Sequence, residues 1–257
     1  MSDQIISLQD WFQTPPGRYL LEWEQDCIDR AVVDIFGYHA LQLGAPLVDG
    51  LRANRMPHRW LGVDHSGAPA LNRTLVTDYR ALPFPANSVD LIVLPHTLEY
   101  SLDPHATLRE VERVLVPEGR VVICGLNPAS LWGLRQKRSH IYQRLGYGQL
   151  FLPAEGEFIG YWRMRDWLRL LGFEVEHGHF GLYRPSVAGT VWLERFAWMD
   201  RLGPKWWPIF GAAYFLVAIK RVRGMRLLGP AWKKTPARAG QSVSVVGRSP
   251  SRSRFEE

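Results

Sequence analysis

The sequence predicts an α/β fold, a doubly wound and mostly parallel sheet flanked by helices. Three observations carry that expectation. Short apolar runs such as Asp90-Leu-Ile-Val-Leu94 have the pattern of strands buried on both faces. Stretches with helical periodicity separate these runs, and Asp or Gly stands where the strands end. Strand and helix alternate through five strands, then two late strands follow with helix between them, the order of a parallel-sheet architecture.

Taken in order, Arg18 to Phe36 places Leu20, Leu21, Cys27, Ile28, Val32 and Ile35 at helical spacing with acids between them, predicting a helix over 18–36. Tyr38 to Leu43 reads as the first strand, ended by Gly44-Ala-Pro46, with a helix from about Leu47 to Ala53. Arg59 to Val63 is the second strand, capped by Asp64, and Arg73 to Val76 the third, capped by Asp78. After the fourth strand, Asp90 to Leu94, Asp103-Pro104 supplies an N-cap and a proline at the first helical position. Leu108, Val111 and Leu115 form the apolar face of that helix, and Arg109, Glu110 and Glu112 face water. Pro117-Glu-Gly119 ends it, and Arg120 to Gly125 begins the fifth strand. Trp132 to Gly148 reads as a helix and a mobile loop. Tyr161 to Leu171 is a helix with Trp162, Trp167, Leu168 and Leu171 on one side, stopped by Gly172 in a left-handed cap. Phe173 begins a sixth strand, Gly189 to Arg201 is a helix carrying Val191, Trp192, Phe196 and Met199, and Ala212 to Ile219 is the last strand.

At 257 residues and 46% hydrophobic composition, the chain can bury a full core. One domain is expected over residues 1–232, with its core at 38–222. The formal charge of +6 is unevenly spread: residues 220–257 hold ten Lys or Arg against two Glu, which leaves 1–219 at −2. That core has no electrostatic footprint for nucleic acid. The segment 233–257 is rich in Ser, Arg, Gly and Pro without apolar periodicity, and is expected to be a disordered basic tail, either merely solvated or in contact with RNA or an anionic membrane. Cys27 and Cys124 lie far apart in no metal or redox spacing, so buried thiols in a reducing compartment are expected, and no metal site. The beginning of the chain shows no secretory pattern, and Trp206 to Ile219 is too short to span a bilayer comfortably, so a cytoplasmic location is expected.

The segment Asp78–Asn127 carries the clearest motif: Asp78-x-x-x-Leu82-Pro83-Phe84, Ser88-x-Asp90, Leu98-Glu99, Asp103-Pro104, Leu108-Arg-Glu-Val-x-Arg-Val-Leu115 and Pro117-x-Gly119. Each piece alone is weak, whereas their order and spacing are specific. On them the chain resembles class I S-adenosylmethionine-dependent methyltransferases of the type 11 domain group, and the remaining strands extend the resemblance over about residues 18–222. The resemblance implies seven strands in the order 3-2-1-4-5-7-6, strand seven antiparallel, with S-adenosylmethionine over the carboxyl ends of the first four. It implies that Asp64 holds the ribose hydroxyls, since one carboxylate can accept two hydroxyl protons. It further implies that Asp78 accepts from the adenine amino group, with Tyr79 beside it, and that Leu94, Pro95 and His96 lie near the sulfonium.

The first motif departs from the family's acidic-x-Gly-x-Gly-x-Gly pattern. Gln42 stands for the acid, Gly44 keeps the first glycine, and Pro46 and Val48 take the other two places. Proline fixes φ near −65° and has no N–H, so the loop must take another path. Two readings follow: an enzyme with Gln42 and Gly44 in an adjusted cofactor loop, or a degenerate fold serving as a binding or scaffold protein. His96 is open to two roles as well, general base on an acceptor hydroxyl or packing residue; Glu99 and Tyr100 stand alike. The tryptophans near Trp192, Trp198, Trp206 and Trp207 read as packing residues or as a lid over an apolar acceptor. The place after strand four reads Leu94-Pro-His-Thr97, without the Pro-Pro-aromatic run of base-amine methyltransferases and without a nucleophilic cysteine. A small-molecule acceptor is therefore expected, methylated at hydroxyl, carbon or carboxyl; nucleic acid is expected only through the tail, and the residues do not specify an oligomeric state.

Overall fold

The computed structural model describes residues 8–64, 74–144, 151–152, 156–187 and 189–221. Among these, seven strands form one sheet in the order β3-β2-β1-β4-β5-β7-β6. They are β1 (His39–Leu43), β2 (His58–Val63), β3 (Thr74–Val76), β4 (Val89–Pro95), β5 (Leu115–Leu126), β6 (Phe173–Gly181) and β7 (Ala213–Lys220). The pairings β2–β3, β1–β2, β1–β4 and β4–β5 are parallel, while β7 runs antiparallel to both β5 and β6. The order expected from the resemblance is the order observed. The expected boundary at residue 232 and the tail 233–257 lie outside the described residues.

The β4–α3–β5 unit shows why these residues fold as they do. Every side chain of β4 except Asp90 is buried. Asp103 caps α3 (Pro104–Val114) by accepting from the Ala106 N–H at 2.9 Å. Leu108, Val111 and Val114 bury the apolar face of that helix against the sheet. The helix passes directly into β5 at Leu115, earlier than the Pro117–Gly119 stop predicted. Pairing of Val89 with Leu115 jumps to Leu91 with Arg120, so residues 116–119 bulge out of the ladder, with Glu118 at φ +64°. The buried Lys220 at the end of β7 ties this junction together: its Nζ donates to the carbonyls of Glu112 (2.6 Å) and Leu115 (2.9 Å) and to Asn87 Oδ1 (3.1 Å).

Two apolar layers cover the sheet. α3 and α5 (Tyr161–Leu170) pack on one face, the latter through Met164 and Leu168 and stopped at Gly172 with φ +84°. α2 (Pro15–Val32) packs on the other through Cys27, Ile28 and Val32. A third cluster joins Trp11 and Phe12 of α1 (Leu8–Phe12) to Leu20, Trp132 and Phe151, bringing α4 (Leu131–Arg144) beside the amino-terminal helices. No helix among the described residues is long and apolar enough to cross a membrane.

Three expectations are corrected. Residues 47–53 form isolated turns instead of a helix, with bonds from Val48 N–H to Ala45 O and from Asn54 N–H to Leu51 O. The helix expected over 189–201 divides into α6 (Thr190–Arg195) and α7 (Trp198–Trp206), followed by a 3₁₀ turn at Pro208–Phe210. Trp162 lies on the solvent side of α5, and Val191 and Trp192 on that of α6. In α7 the inward position is taken by Gly203, where a Cβ would meet the Tyr183 ring at 2.1 Å, so the large apolar side chains turn outward.

Candidate cofactor and active site

The carboxyl ends of β1, β2 and β4 open on a cavity of about 860 Å³. Its walls are the 44–47 loop, Val63 and Asp64 at the end of β2, Pro95–Thr97 after β4, Tyr100–Leu102, and Phe12 from α1. A second hollow of about 430 Å³ shares Asp64, Tyr79 and Tyr100–Leu102 with it, and adds Asp78 and Arg80. Asp64 therefore stands where the two lobes meet. Pro46 forms part of the wall of the larger lobe.

Gln42 shapes the loop after β1. Its buried amide nitrogen donates to Val48 O at 2.7 Å and lies 3.2 Å from Gly44 O and Ala45 O, and its oxygen accepts the Gly50 N–H at 2.9 Å. The side chain thus captures the backbone groups that a helix over 47–53 would have paired internally, which is why turns form there instead. Gly44 (φ +74°) and Ala45 (φ +39°) are left-handed, and a Cβ at Gly44 would meet Thr97 Oγ1 at 3.2 Å. Only a residue without a side chain sits there at low cost. The Thr97 hydroxyl donates to the Leu43 carbonyl, fastening the end of β1 to the segment after β4.

The two aspartates face different surroundings. Asp78 is half exposed and held by Arg80, whose side chain reaches both carboxylate oxygens at 2.8–3.2 Å and whose backbone N–H adds a bond at 2.9 Å. Those bonds hold its carboxyl down at about 2. Tyr79 is largely buried between the lobes, and burial, followed by the charge of Asp64, raises its hydroxyl above the ordinary phenol range.

Behind the larger lobe lies a group of charges. His96 is buried with φ +55°, and its N–H is anchored to Cys124 O at 3.0 Å. Its Nδ1 sits 2.7 Å from Glu99 Oε2, and its Nε2 lies 2.8 Å from Glu24 Oε1 of α2, off the line of a hydrogen bond. Glu99 Oε1 accepts the Leu126 N–H. Burial pulls the imidazole down, but Glu24 and Glu99 outweigh it and push it up to about 10. Burial raises Glu99, against the pull of His96 and the Leu126 N–H. With both nitrogens against carboxylates, the surroundings of His96 favour its protonated form.

Of the residues implied by the resemblance, Gly44, Asp64, Tyr79, Pro95 and His96 line the larger lobe and Asp78 the smaller one. Gln42 and Leu94 do not reach the wall: Gln42 is spent on its own loop, and Leu94 is fully buried in the sheet core. Sequence reasoning passed over Glu24, whose signal was available as an acid on the buried stripe Leu20, Glu24, Ile28 of α2. It also passed over Phe12 and Gly156, which lie far along the chain from the strand ends they approach.

The lining fits a cationic nucleoside. Asp64, Asp78, Glu99 and Glu157 face the two lobes against Arg80 and the doubly paired His96. Acidic walls suit a sulfonium and an ammonium, a carboxylate at a strand end suits a ribose diol, and the space open over Gly44 admits close backbone approach.

A family model described as "Methyltransferase domain" matches residues 54–123. The Escherichia coli (strain K12) protein YafS, described as uncharacterized, is 31% identical over 174 residues, covering 67% of this chain and 68% of that protein. Malonyl-[acyl-carrier protein] O-methyltransferase of Halorhodospira halophila is 36% identical over 63 residues, 24% of this chain and 21% of its own. Among solved structures, an S-adenosylmethionine-dependent methyltransferase from Mesorhizobium loti superposes with a TM-score of 0.51 at 16% identity, covering 77% of this chain and 97% of that one. This last likeness is one of fold.

Proposed function

The chain belongs to the class I S-adenosylmethionine-dependent methyltransferases, and from that premise we propose that it methylates a small molecule at a hydroxyl, carbon or carboxyl group. One observation supports this most: the acid-lined cavity at the carboxyl rim, with Asp64 and left-handed Gly44 in its wall. When bound, the cofactor supplies an electrophilic methyl group on a cationic sulfur. The protein's part is to hold and orient. In this reading Asp64 takes the ribose hydroxyls, and Asp78, released in part from Arg80, takes the adenine edge. Pro95 and Phe12 give an apolar wall that excludes water. Glu24, His96 and Glu99 fix the segment after β4, so that no side chain need move a proton; orientation alone carries much of the rate in such a transfer. The local match to a malonyl-[acyl-carrier protein] O-methyltransferase supports an oxygen acceptor.

Titration calorimetry with S-adenosylmethionine tests the reading. Asp64→Ala is expected to weaken binding at least tenfold, about 1.4 kcal/mol. No heat at millimolar cofactor with the native chain would overturn it. Transfer of labelled methyl from the cofactor into a metabolite extract would then identify the acceptor class.

A further inference from the structure

Apart from the cavity, the rim carries a surface that the methyl-transfer reading does not use. The chain leaves β6 at Gly181 and re-enters the sheet at Ala213, which pair with each other beside Leu126. The intervening α6, α7 and 3₁₀ turn therefore sit at the carboxyl rim, the edge on which the cavity opens. In α7, Trp198, Leu202 and Trp206 recur at four-residue spacing and are 50%, 42% and 69% exposed. Ile209 and Phe210 of the following turn and Val191 and Trp192 of α6 are exposed as well. None of these is core: the inward contacts of α7 are made by Gly203 against Tyr183, and by Asp200, which accepts from Tyr19 Oη, the Tyr183 N–H and Arg184.

Charge tells what covers this face. Arg195, Arg201 and Lys205 stand exposed among the apolar residues, with Arg195 lying over the Trp192 ring at 5.5 Å. Glu194 is the one exposed acid of the two helices, since Asp200 is turned inward and paired. α4, joined to the same region by the Trp132 Nε1–H donating to Arg184 O, adds exposed Arg135, Lys137 and Arg138 without an acid. Large aromatic side chains beside cations whose stems can lie along an apolar layer are the pattern of a peripheral membrane contact. The exposed indoles of Trp198 and Trp206, with Arg201 and Lys205 between them along α7, match an anionic lipid surface.

We propose that α6, α7 and the 208–210 turn dock this enzyme on an anionic phospholipid surface, the apolar line entering the headgroup region and the basic residues meeting phosphate. The contact would present the rim, and with it the cavity, to an acceptor dissolved in or extracted from the bilayer.

The test uses the full chain and vesicle co-sedimentation, comparing phosphatidylcholine alone with phosphatidylcholine containing about a third phosphatidylglycerol. Native protein is expected to bind the anionic vesicles and to lose binding as salt rises. The double variant Trp198→Ser, Trp206→Ser is expected to weaken binding roughly tenfold, and Arg201→Gln with Lys205→Gln to lower the preference for anionic lipid. Both pairs are exposed, so far-ultraviolet circular dichroism and cofactor calorimetry should match the native chain; that calorimetry reads the methyltransferase assignment separately. Three results would overturn the proposal. One is no sedimentation of the native chain at millimolar lipid. Another is binding unchanged in the tryptophan variant, which would assign it to the basic residues of 220–257. The third is a stoichiometric complex with an acidic carrier protein, abolished by the same substitutions, in the absence of lipid binding.

Discussion

Gln42 shows how one side chain can replace a length of secondary structure. Gln42→Ala leaves the Gly50 N–H and the Val48 carbonyl without their partner, at a cost of about 3 kcal/mol, to be read by urea unfolding. Restoring the family's acid is expected to do worse. In Gln42→Glu a carboxylate would face the carbonyls of Gly44, Ala45 and Val48, which the amide nitrogen now satisfies, so stability should fall below that of the alanine variant. His96 gives a pH prediction whose sign is fixed. Its folded pKa, about 10, lies above the unfolded value near 6.5, so its stabilisation is complete below about pH 6.5 and is lost as pH rises toward 10. The raised Glu99 acts in the same direction. Thermal melts from pH 6 to pH 10 should show a falling midpoint, and His96→Gln should flatten that dependence. Gly44, Asp64 and Asp78 were legible as residue types at strand ends. Glu24 was harder to read because the partner that explains it lies 72 positions away.

Among elements, α3 shows local signals and long-range contacts acting together. Asp103→Ala removes its N-cap and should cost about 1 kcal/mol by chemical denaturation. Lys220→Met acts at the opposite end of the same helix, removing a cation from carbonyls at its carboxyl terminus and leaving Glu112 without its partner at 3.0 Å. A loss of roughly 3 kcal/mol is expected, on the same denaturation readout. The strand–helix–strand unit was legible because burial, capping and turn chemistry agreed at each step. The single helix expected over 189–201 was misread for a physical reason: Val191, Trp192, Phe196 and Met199 keep helical spacing whether they face a core or the outside. Only the small residue at 203 and the paired acid at 200 separate the two cases, and both depend on Tyr183, which periodicity does not reveal.

At the scale of the whole molecule, the sheet order followed from the resemblance, but the closure of the rim did not. Phe12, Trp132 and Phe151 meet from distant parts of the chain, through contacts such as Trp11 Nε1–H donating to Phe151 O at 2.7 Å. Such convergence is a property of the assembled fold and has no local pattern. The place of β7 has a further consequence, for biosynthesis. Among the described residues β6 pairs only with β7, and β5 takes β7 as its outer neighbour, although residue 213 is made long after residue 126. While the ribosome is still working, one half of the sheet therefore waits with an open hydrogen-bonding edge that no earlier segment can occupy. Nascent chains stalled before residue 213 should be captured by chaperones, and those extended well past residue 220 should escape them.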